Sequence, residues 1–297
     1  MGESETTLQP NPASRGVACK LCGGSHFKLR HEWPVGDYWN QTTIPLALWD
    51  CEDCGLCILD PVPKAEEYPD GGDWHSPKLR NLARKYRFKT WKRALFDRLF
   101  GSKKQRFYRQ CKQAVSSGSF LDVGCGTGEL MDLAAKDFDE VVGVEPSSRA
   151  AAVTRQKGYT VHEGLLEDVA LEPGHYDMIA MDAVIEHVLD PVAIMRQCYD
   201  ALKPGGYLGM VTVKLDGPAN RYRGSGWNGY RHGWHTVLFN EATLQACLDK
   251  AGFEYVRRPR RARPLDDILI LWGRKPLSAP VSIGSQDTTT APVGAAA

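Results

Sequence analysis

The sequence predicts an α/β protein: a mostly parallel sheet with helices on both faces, carrying a small cysteine-rich module on its N-terminal side. Three observations predict it. Between residues 117 and 275, short apolar runs alternate with stretches of helical periodicity, as in strands joined by crossover helices. One of those runs leads into three closely spaced glycines, Gly124, Gly126 and Gly128, and then into a further helical stretch. Upstream, two Cys-x-x-Cys pairs, each followed by Gly, are separated by 28 residues in a region, 17–62, that holds five of the nine cysteines.

Taken in order, residues 1–16 lack an apolar core between a basic start and a cleavage site. They read as a disordered N-terminus and not as a secretory signal, so a cytoplasmic location is expected. Residues 17–62 carry Cys19-Lys-Leu-Cys22-Gly23 and Cys51-Glu-Asp-Cys54-Gly55. Each copy places two thiolates on one tight turn, and two facing turns complete a tetrahedral set of four sulfurs. A zinc ribbon with ligands Cys19, Cys22, Cys51 and Cys54 is the expectation, its closed ligand set making the zinc structural and not catalytic. Cys57 forms an alternative pair with Cys54, but only Cys51 and Cys54 are followed by the repeated glycine.

Residues 63–116 form a basic helical connector or cap. From Lys78 to Lys112 there are 14 Lys or Arg against the single acid Asp97, a local excess of +13. The remaining 23 bases and 35 acids sum to −12, which is how a chain of 297 residues reaches a net charge of only +1. Leu79, Leu82, Tyr86, Trp91, Leu95 and Leu99 recur among these charges at helical spacing.

Within 117–275 the strand candidates are Phe120–Val123, Val141–Val144, Asp177–Met181, Tyr207–Val213 and Ile268–Trp272. Asn240 and Ser147 stand where they can cap the helices that follow, and Gly252 can end one of these in a left-handed conformation. Residues 276–297 have few large apolar side chains and read as a disordered tail. No run approaches 18 apolar residues, which excludes a helical membrane span, and a composition 25% charged and 42% hydrophobic excludes wholesale disorder.

The glycines carry the chemistry. A strand that enters Asp122-Val-Gly124-Cys125-Gly126-Thr127-Gly128 brings backbone amides close to a ligand, and Glu145, ending the next strand before Pro146, can accept ribose hydroxyls. The ligand reads as an adenosine derivative. At Gly-x-Gly-x-Gly, His175-Tyr-Asp-Met-Ile-Ala-Met-Asp182 and Leu202-Lys-Pro-Gly-Gly-Tyr-Leu208, the sequence resembles class I S-adenosylmethionine-dependent methyltransferases with a Rossmann-like sheet. The resemblance implies that Asp122, Gly124, Cys125, Gly126, Thr127 and Gly128 line the methionine and ribose, that Glu145 and Pro146 meet the ribose, that Leu166 and Glu167 flank the adenine, and that Asp182 faces the methionine amino group. With Ile44-Pro-Leu ahead of the second knuckle and Leu59-Asp-Pro-Val-Pro63 after it, the N-terminal part resembles the zinc-binding module of bacterial methyltransferases of sugar, polysaccharide and natural-product pathways.

Three histidines are candidates for the chemistry. His235, in Arg231-His-Gly-Trp-His235-Thr, occupies the place of a histidine in the sugar C-methyltransferases, where it would serve as general base or acceptor anchor; a histidine that only holds its loop is the alternative. His232 stands where that family has a tyrosine. His187, after Glu186, resembles the Glu-x-x-Glu-His of ubiquinone-pathway O-methyltransferases, but Ala183 replaces the first glutamate, which speaks against a catalytic magnesium.

The expected acceptor is a small molecule or glycan, with the basic segment suited to a phosphate-bearing, nucleotide-sugar-like group, a peripheral membrane contact or a second subunit. The net charge of +1 gives no support for non-specific nucleic-acid binding, and no Asn/Asp-Pro-Pro-aromatic motif of base-methylating enzymes is present. Two alternatives stand beside this reading: a catalytically silent protein that binds RNA, membrane or protein through the ribbon and basic segment, and an O-methyltransferase of a quinone-like lipid.

Overall fold

The computed structural model describes residues 9–35, 42–68, 98, 101–230, 234–257 and 267–277. His232, the expected tail from residue 278 onward, most of the basic segment and the arginines of 258–263 lie outside the described residues.

The principal sheet has seven strands in the order β10-β11-β8-β7-β4-β5-β6. Its strands are β4 (Ser119–Val123), β5 (Glu140–Glu145), β6 (Thr160–Glu163), β7 (Tyr176–Asp182), β8 (Leu202–Val213), β10 (Glu254–Tyr255) and β11 (Ile268–Arg274). The pairings β6–β5, β5–β4, β4–β7 and β7–β8 are parallel, while β11 and β10 close one edge antiparallel. The chain winds outward from β4 to β6 and then crosses back to β7, so the strand order switches between β4 and β7, where open α/β sheets hold their ligands.

The central strands are apolar on both faces, as strands covered by helices on both sides must be. Leu121, Val123, Ile179 and Met181 join one buried cluster with α4 (Pro191–Ala201) and α6 (Glu241–Lys250), while Phe120, Met178 and Ala180 join another with α1 (Lys103–Ala114). From α1, Phe107 and Cys111 are almost fully buried, Phe107 with its ring 5.8 Å from that of Trp272. Burying the Phe107 side chain is worth roughly 1.5–3 kcal/mol. Residues 103–114 thus form part of the layer that covers the sheet.

Local signals set the helix ends. Ser102 accepts from the Gln105 amide to start α1, Ser147 accepts from the Ala150 amide to start α3 (Ser148–Gln156), and Asn240 accepts from the Thr243 amide at 2.8 Å to start α6. After α6, Gly252 adopts φ 97°, the left-handed conformation that its position called for. The short helices α2 (Met131–Ala134) and α5 (Pro218–Arg223) complete the set among the described residues.

The N-terminal module is a second sheet of order β1-β2-β3-β9, with β1 (Phe27–Trp33), β2 (Leu46–Cys51) and β3 (Cys57–Leu59) antiparallel. Its fourth strand, β9 (Val237–Leu238), comes from the segment between β8 and α6, pairing Cys57 with Leu238 and Ile58 with Val237. Cys19, Leu21, Trp49 and Leu56 share a single buried cluster with Phe239, Leu244 and Cys247, so the module and the main sheet are packed as one body. The expectation of disorder over 1–16 is corrected for residues 9–16. Pro12–Arg15 forms a 3-10 turn, Asn11 Nδ2 donates to the Phe27 carbonyl at 2.9 Å, and Arg15 pairs with Asp60. A side-chain amide and an ion pair fasten that segment to the hairpin.

Candidate functional site: a cofactor cradle beside a histidine–carboxylate cluster

The turn after β4 has Gly124, Gly126 and Gly128 at φ of 68°, 56° and 78°, a left-handed run that residues with a side chain rarely adopt. Its surroundings hold it in place. Thr154 of α3 donates to the Gly126 carbonyl at 2.8 Å, and a Cβ on Gly128 would come within 3.0 Å of the Thr154 methyl. Glu145, almost fully buried at the end of β5, accepts from the amides of Gly126 at 2.7 Å and Ser147 at 2.9 Å. One carboxylate therefore bridges the glycine turn and the start of α3, with further lone pairs on both oxygens for hydroxyl donors.

Thr127 lies half-buried in the turn and Pro146 is exposed beside it. The Cys125 side chain points elsewhere, into a small cluster with Met131, Ala151 and Val161, so at this position only the backbone can meet a ligand. Leu166 is buried and Glu167 exposed in a 3-10 turn after β6, its backbone held by Gln197 Nε2 on the Leu166 carbonyl at 2.7 Å.

Two acids from the strand ends complete the cradle. Asp122 is 2% exposed, its Oδ2 without a hydrogen-bond partner among the described residues. Burial pushes its carboxyl up to about 8, Lys104 pulls it back, and Asp182 and Glu145 add to the rise. Asp182, at the end of β7, makes an ion pair with Lys103 Nζ at 2.6 Å, and Lys104 pairs with Glu129 at 3.2 Å. Burial opposes the charge on Lys104, but Glu129, Asp182 and Asp122 outweigh it and hold its ammonium above the ordinary value. With Lys112 on Asp137, the described bases of the basic segment thus include three that are paired with acids of the main domain.

The turn that follows β7 packs directly on this cradle. Ala183 has φ 63°, uncommon for a residue with a Cβ, and its amide donates to the Val211 carbonyl at 2.8 Å. The Val184 side chain lies over Gly124, where a Cβ would meet it at 2.5 Å. Next come Glu186 and His187, which converge with His235 so that one ligand atom from each lies within 4.8 Å of the others. Glu186 is 1% exposed and its Oε2 has no hydrogen-bond partner among the described residues.

Both imidazoles are fixed. His187 Nδ1 donates to the Trp234 carbonyl at 2.7 Å and His235 Nδ1 to the Gly229 carbonyl at 2.5 Å. A carbonyl only accepts, so in each neutral ring the proton sits on Nδ1 and the lone pair on Nε2. The segment carrying His235 is held from two sides: Trp234 stacks on Tyr68 at 4.1 Å, and the Thr236 hydroxyl lies 3.2 Å from the Glu186 carbonyl and 2.8 Å from that of Val188.

The four knuckle cysteines cluster as their spacing predicts. Cys19 and Cys54 sulfurs are 3.5 Å apart, as are those of Cys22 and Cys51, and all four lie within 4.8 Å of one another. Gly23 and Gly55 take φ of 81° and 79°, and the Gly24 amide donates to Cys22 Sγ at 3.3 Å. A tetrahedral ion with bonds of about 2.3 Å to sulfur needs sulfurs about 3.8 Å apart, so this donor set fits zinc. Cys57 is fully buried beside β9 and outside the cluster; burial pushes its thiol up.

Sequence reasoning missed Glu186 as a site residue, and also Lys103 and Thr154. Glu186 had a signal, its place beside His187 in a motif lacking its other glutamate; Lys103 and Thr154 had none.

The comparisons agree with this geometry. The family described as methyltransferase domain matches residues 83–258, more than half of the chain. A ubiquinone biosynthesis O-methyltransferase of Xanthomonas campestris pv. campestris is 35% identical over 115 residues, 36% of this chain and 47% of the relative. One of Nitrosospira multiformis is 35% identical over 100 residues, 31% of this chain and 42% of the relative. The chain thus spans less than half the length of these curated relatives. Among solved structures, an S-adenosylmethionine-dependent methyltransferase of Mesorhizobium loti covers 60% of this chain and all of its own at 21% identity and a TM-score of 0.49. Another, of Thermotoga maritima, covers 62% and 94% at 22% identity and 0.48. With the family match spanning more than half of its length, the chain belongs to the methyltransferase-domain family.

Proposed function

We propose that this protein methylates a small-molecule or glycan acceptor whose nucleophilic atom lies between the glycine turn and the Glu186–His187–His235 cluster. The observation that carries this reading is the contact of Val184 with Gly124, which sets the cluster two residues from the cofactor cradle. Bound S-adenosylmethionine supplies a methyl group on a positively charged sulfur. The chain's part is to hold and align: Glu145 keeps the glycine turn in shape and offers acceptors to the ribose, Asp182 provides negative charge for the cationic portion, and Asp122, its carboxyl pushed up to about 8 by burial, lines the same end of the sheet as a largely neutral acid. At the other side His235, with Nδ1 committed to Gly229, offers the Nε2 lone pair to the proton of an acceptor hydroxyl. Alignment of acceptor and methyl supplies much of the acceleration.

The basic residues ahead of α1 support an acceptor with a phosphate-bearing portion, and the four-sulfur cluster supports a structural zinc whose module keeps β9, and hence His235, in place. A phenolic, quinone-like acceptor is the second reading, supported by the names of the curated relatives and by Glu186 and His187. The deciding experiment incubates the protein with methyl-labelled S-adenosylmethionine and, separately, nucleotide sugars, soluble glycans and prenylated phenols. Labelled nucleotide sugar or glycan sustains the first reading and labelled phenol the second. Cofactor binding with no labelled product from these acceptors or from fractionated cell extract overturns both.

A further inference from the structure

We infer that Glu186, His187 and His235 form a binding site for a divalent transition-metal ion, distinct from the four-cysteine cluster and of different ligand chemistry. The inference rests on the reading of this cluster as the place where the acceptor is held, and adds what holds it there.

Three features of the cluster point to a metal. Three donors converge within 4.8 Å of one another: one carboxylate oxygen and one nitrogen from each imidazole. Each imidazole gives its Nδ1 hydrogen to a backbone carbonyl, the arrangement that fixes the tautomer of metal-binding histidines and aims the other nitrogen's lone pair. Glu186 is a carboxylate 1% exposed to solvent, with Oε2 lacking a hydrogen-bond donor and no Lys or Arg ion pair among the described residues. A buried carboxylate oxygen without a donor calls for a cation, and the two imidazoles beside it, each with Nδ1 on a carbonyl, turn Nε2 to the ion.

Ligand type narrows the ion. Two nitrogens and one carboxylate suit iron(II), cobalt(II), nickel(II) or zinc, whereas magnesium prefers oxygen donors and retains its water. The missing glutamate of the sequence motif, at Ala183, is thus replaced in space by His235 from a distant segment, and the replacement changes the metal class. Three protein ligands leave coordination positions open, where an oxygen-bearing acceptor can bind. The site is also held before any ligand arrives, because the Thr236 hydroxyl joins the 186–188 turn to the strand that follows His235. With the ion bound, His235 is a ligand, and the role of proton acceptor passes from its Nε2 to solvent.

The test uses the full-length protein preloaded with one equivalent of zinc for the four cysteines and then titrated with cobalt(II), followed by visible absorption and by calorimetry. One further equivalent should bind with the weak bands of a nitrogen and oxygen environment and without the intense thiolate-to-metal band that occupation of the cysteine cluster would give. Glu186→Gln and His235→Asn should each weaken this binding by more than about 100-fold, beyond the roughly 10–100-fold that loss of a supporting partner costs, and leave S-adenosylmethionine affinity unchanged. Should the buried Glu186→Gln variant fail to fold, the half-buried His235→Asn carries the same comparison. Cobalt binding only with a thiolate band, or binding unaffected by both substitutions, overturns the inference. Methyl transfer by protein that takes up no cobalt beyond the cysteine cluster would overturn it while leaving the proposed function standing; cobalt binding at this cluster without transfer to any acceptor would do the reverse.

Discussion

The glycine–carboxylate cradle and the histidine–carboxylate cluster differ in how their parts are brought together. In the cradle, Gly126 and Glu145 are 19 positions apart and are joined by one parallel β–α–β unit, so the turn, the acid and the helix that clamps them fold as neighbours. In the cluster, His187 meets the Trp234 carbonyl across 47 positions, and the segment that carries Trp234 and His235 is fastened by β9 to the cysteine module and by Tyr68. The difference teaches that the glycine–carboxylate cradle is built within the main sheet, while the histidine–carboxylate cluster is positioned by the N-terminal module as well. Disturbance of the module should reach turnover before it reaches the cofactor.

The largest effect is expected at His235. His235→Ala removes the proton acceptor of the metal-free site or a ligand of the metal-bound one; it should lower turnover by about 10²- to 10⁴-fold, the range of a positioned acid–base group, and leave cofactor affinity within twofold or so of the parent. Steady-state kinetics and calorimetry on one preparation check both halves. A parallel loss of cofactor binding would show that cluster and cradle are one unit and would break the comparison.

Asp122 sharpens it from the other side. In the folded chain its carboxyl lies at about 8, against about 3.9 for an unfolded aspartate. The folded state therefore keeps the proton that the unfolded state releases, and stability falls as pH rises from about 4 to 8 by up to about 1.4 kcal/mol per unit, levelling off above 8. Asn cannot ionise. Asp122→Asn should match the parent near pH 4 and exceed it by an amount that grows up to pH 8, a trend that thermal unfolding at several pH values will show. A gap that does not change with pH would mean that the carboxyl titrates alike in both states.

At Glu145 the expected effect is intermediate. Glu145→Gln keeps the shape but turns an amino group toward the Gly126 or Ser147 amide, leaving a buried donor unpaired at about 1–3 kcal/mol. Cofactor affinity should fall roughly tenfold to a hundredfold, and turnover at saturating cofactor should hold. Unchanged affinity would reduce Glu145 to a brace for the turn.

Legibility in the sequence follows the same division. The strands of the sheet core, the caps at Ser147 and Asn240, the left-handed Gly252 and the positions of the four clustered cysteines could be read because each rests on residues a few positions apart. β9 could not, since two residues, Val237 and Leu238, carry no period; they are strands only because β3 lies beside them. For the same reason Glu186, His187 and His235 could be nominated only singly or in part, because their convergence is made by tertiary pairing. Cys125 shows the converse. It lies inside the most legible motif of the chain, yet its thiol faces Gly143, where even a methyl group would stand 2.7 Å from it, because the strand neighbour there leaves room.

The smallest effect, and the one that bears most on the charge segregation, is expected at Lys103. Its ammonium sits on Asp182, the acid on which the cofactor's amino group is expected, so a ligand cation arriving there has to displace it. The Lys103 side chain is about a third exposed, 34%, and a pair of that kind is worth about 1 kcal/mol or less. Lys103→Met keeps the apolar stem and removes the competing charge. Cofactor affinity should therefore rise, by roughly fivefold at most, and the gain should shrink as salt is added, because salt weakens the same pair in the parent. Calorimetric titration of parent and variant at low and high ionic strength reads both. A fall in affinity would instead place Lys103 among the groups that hold the cofactor, making the basic segment part of the cradle and ending the separation between the chain's basic and acidic parts.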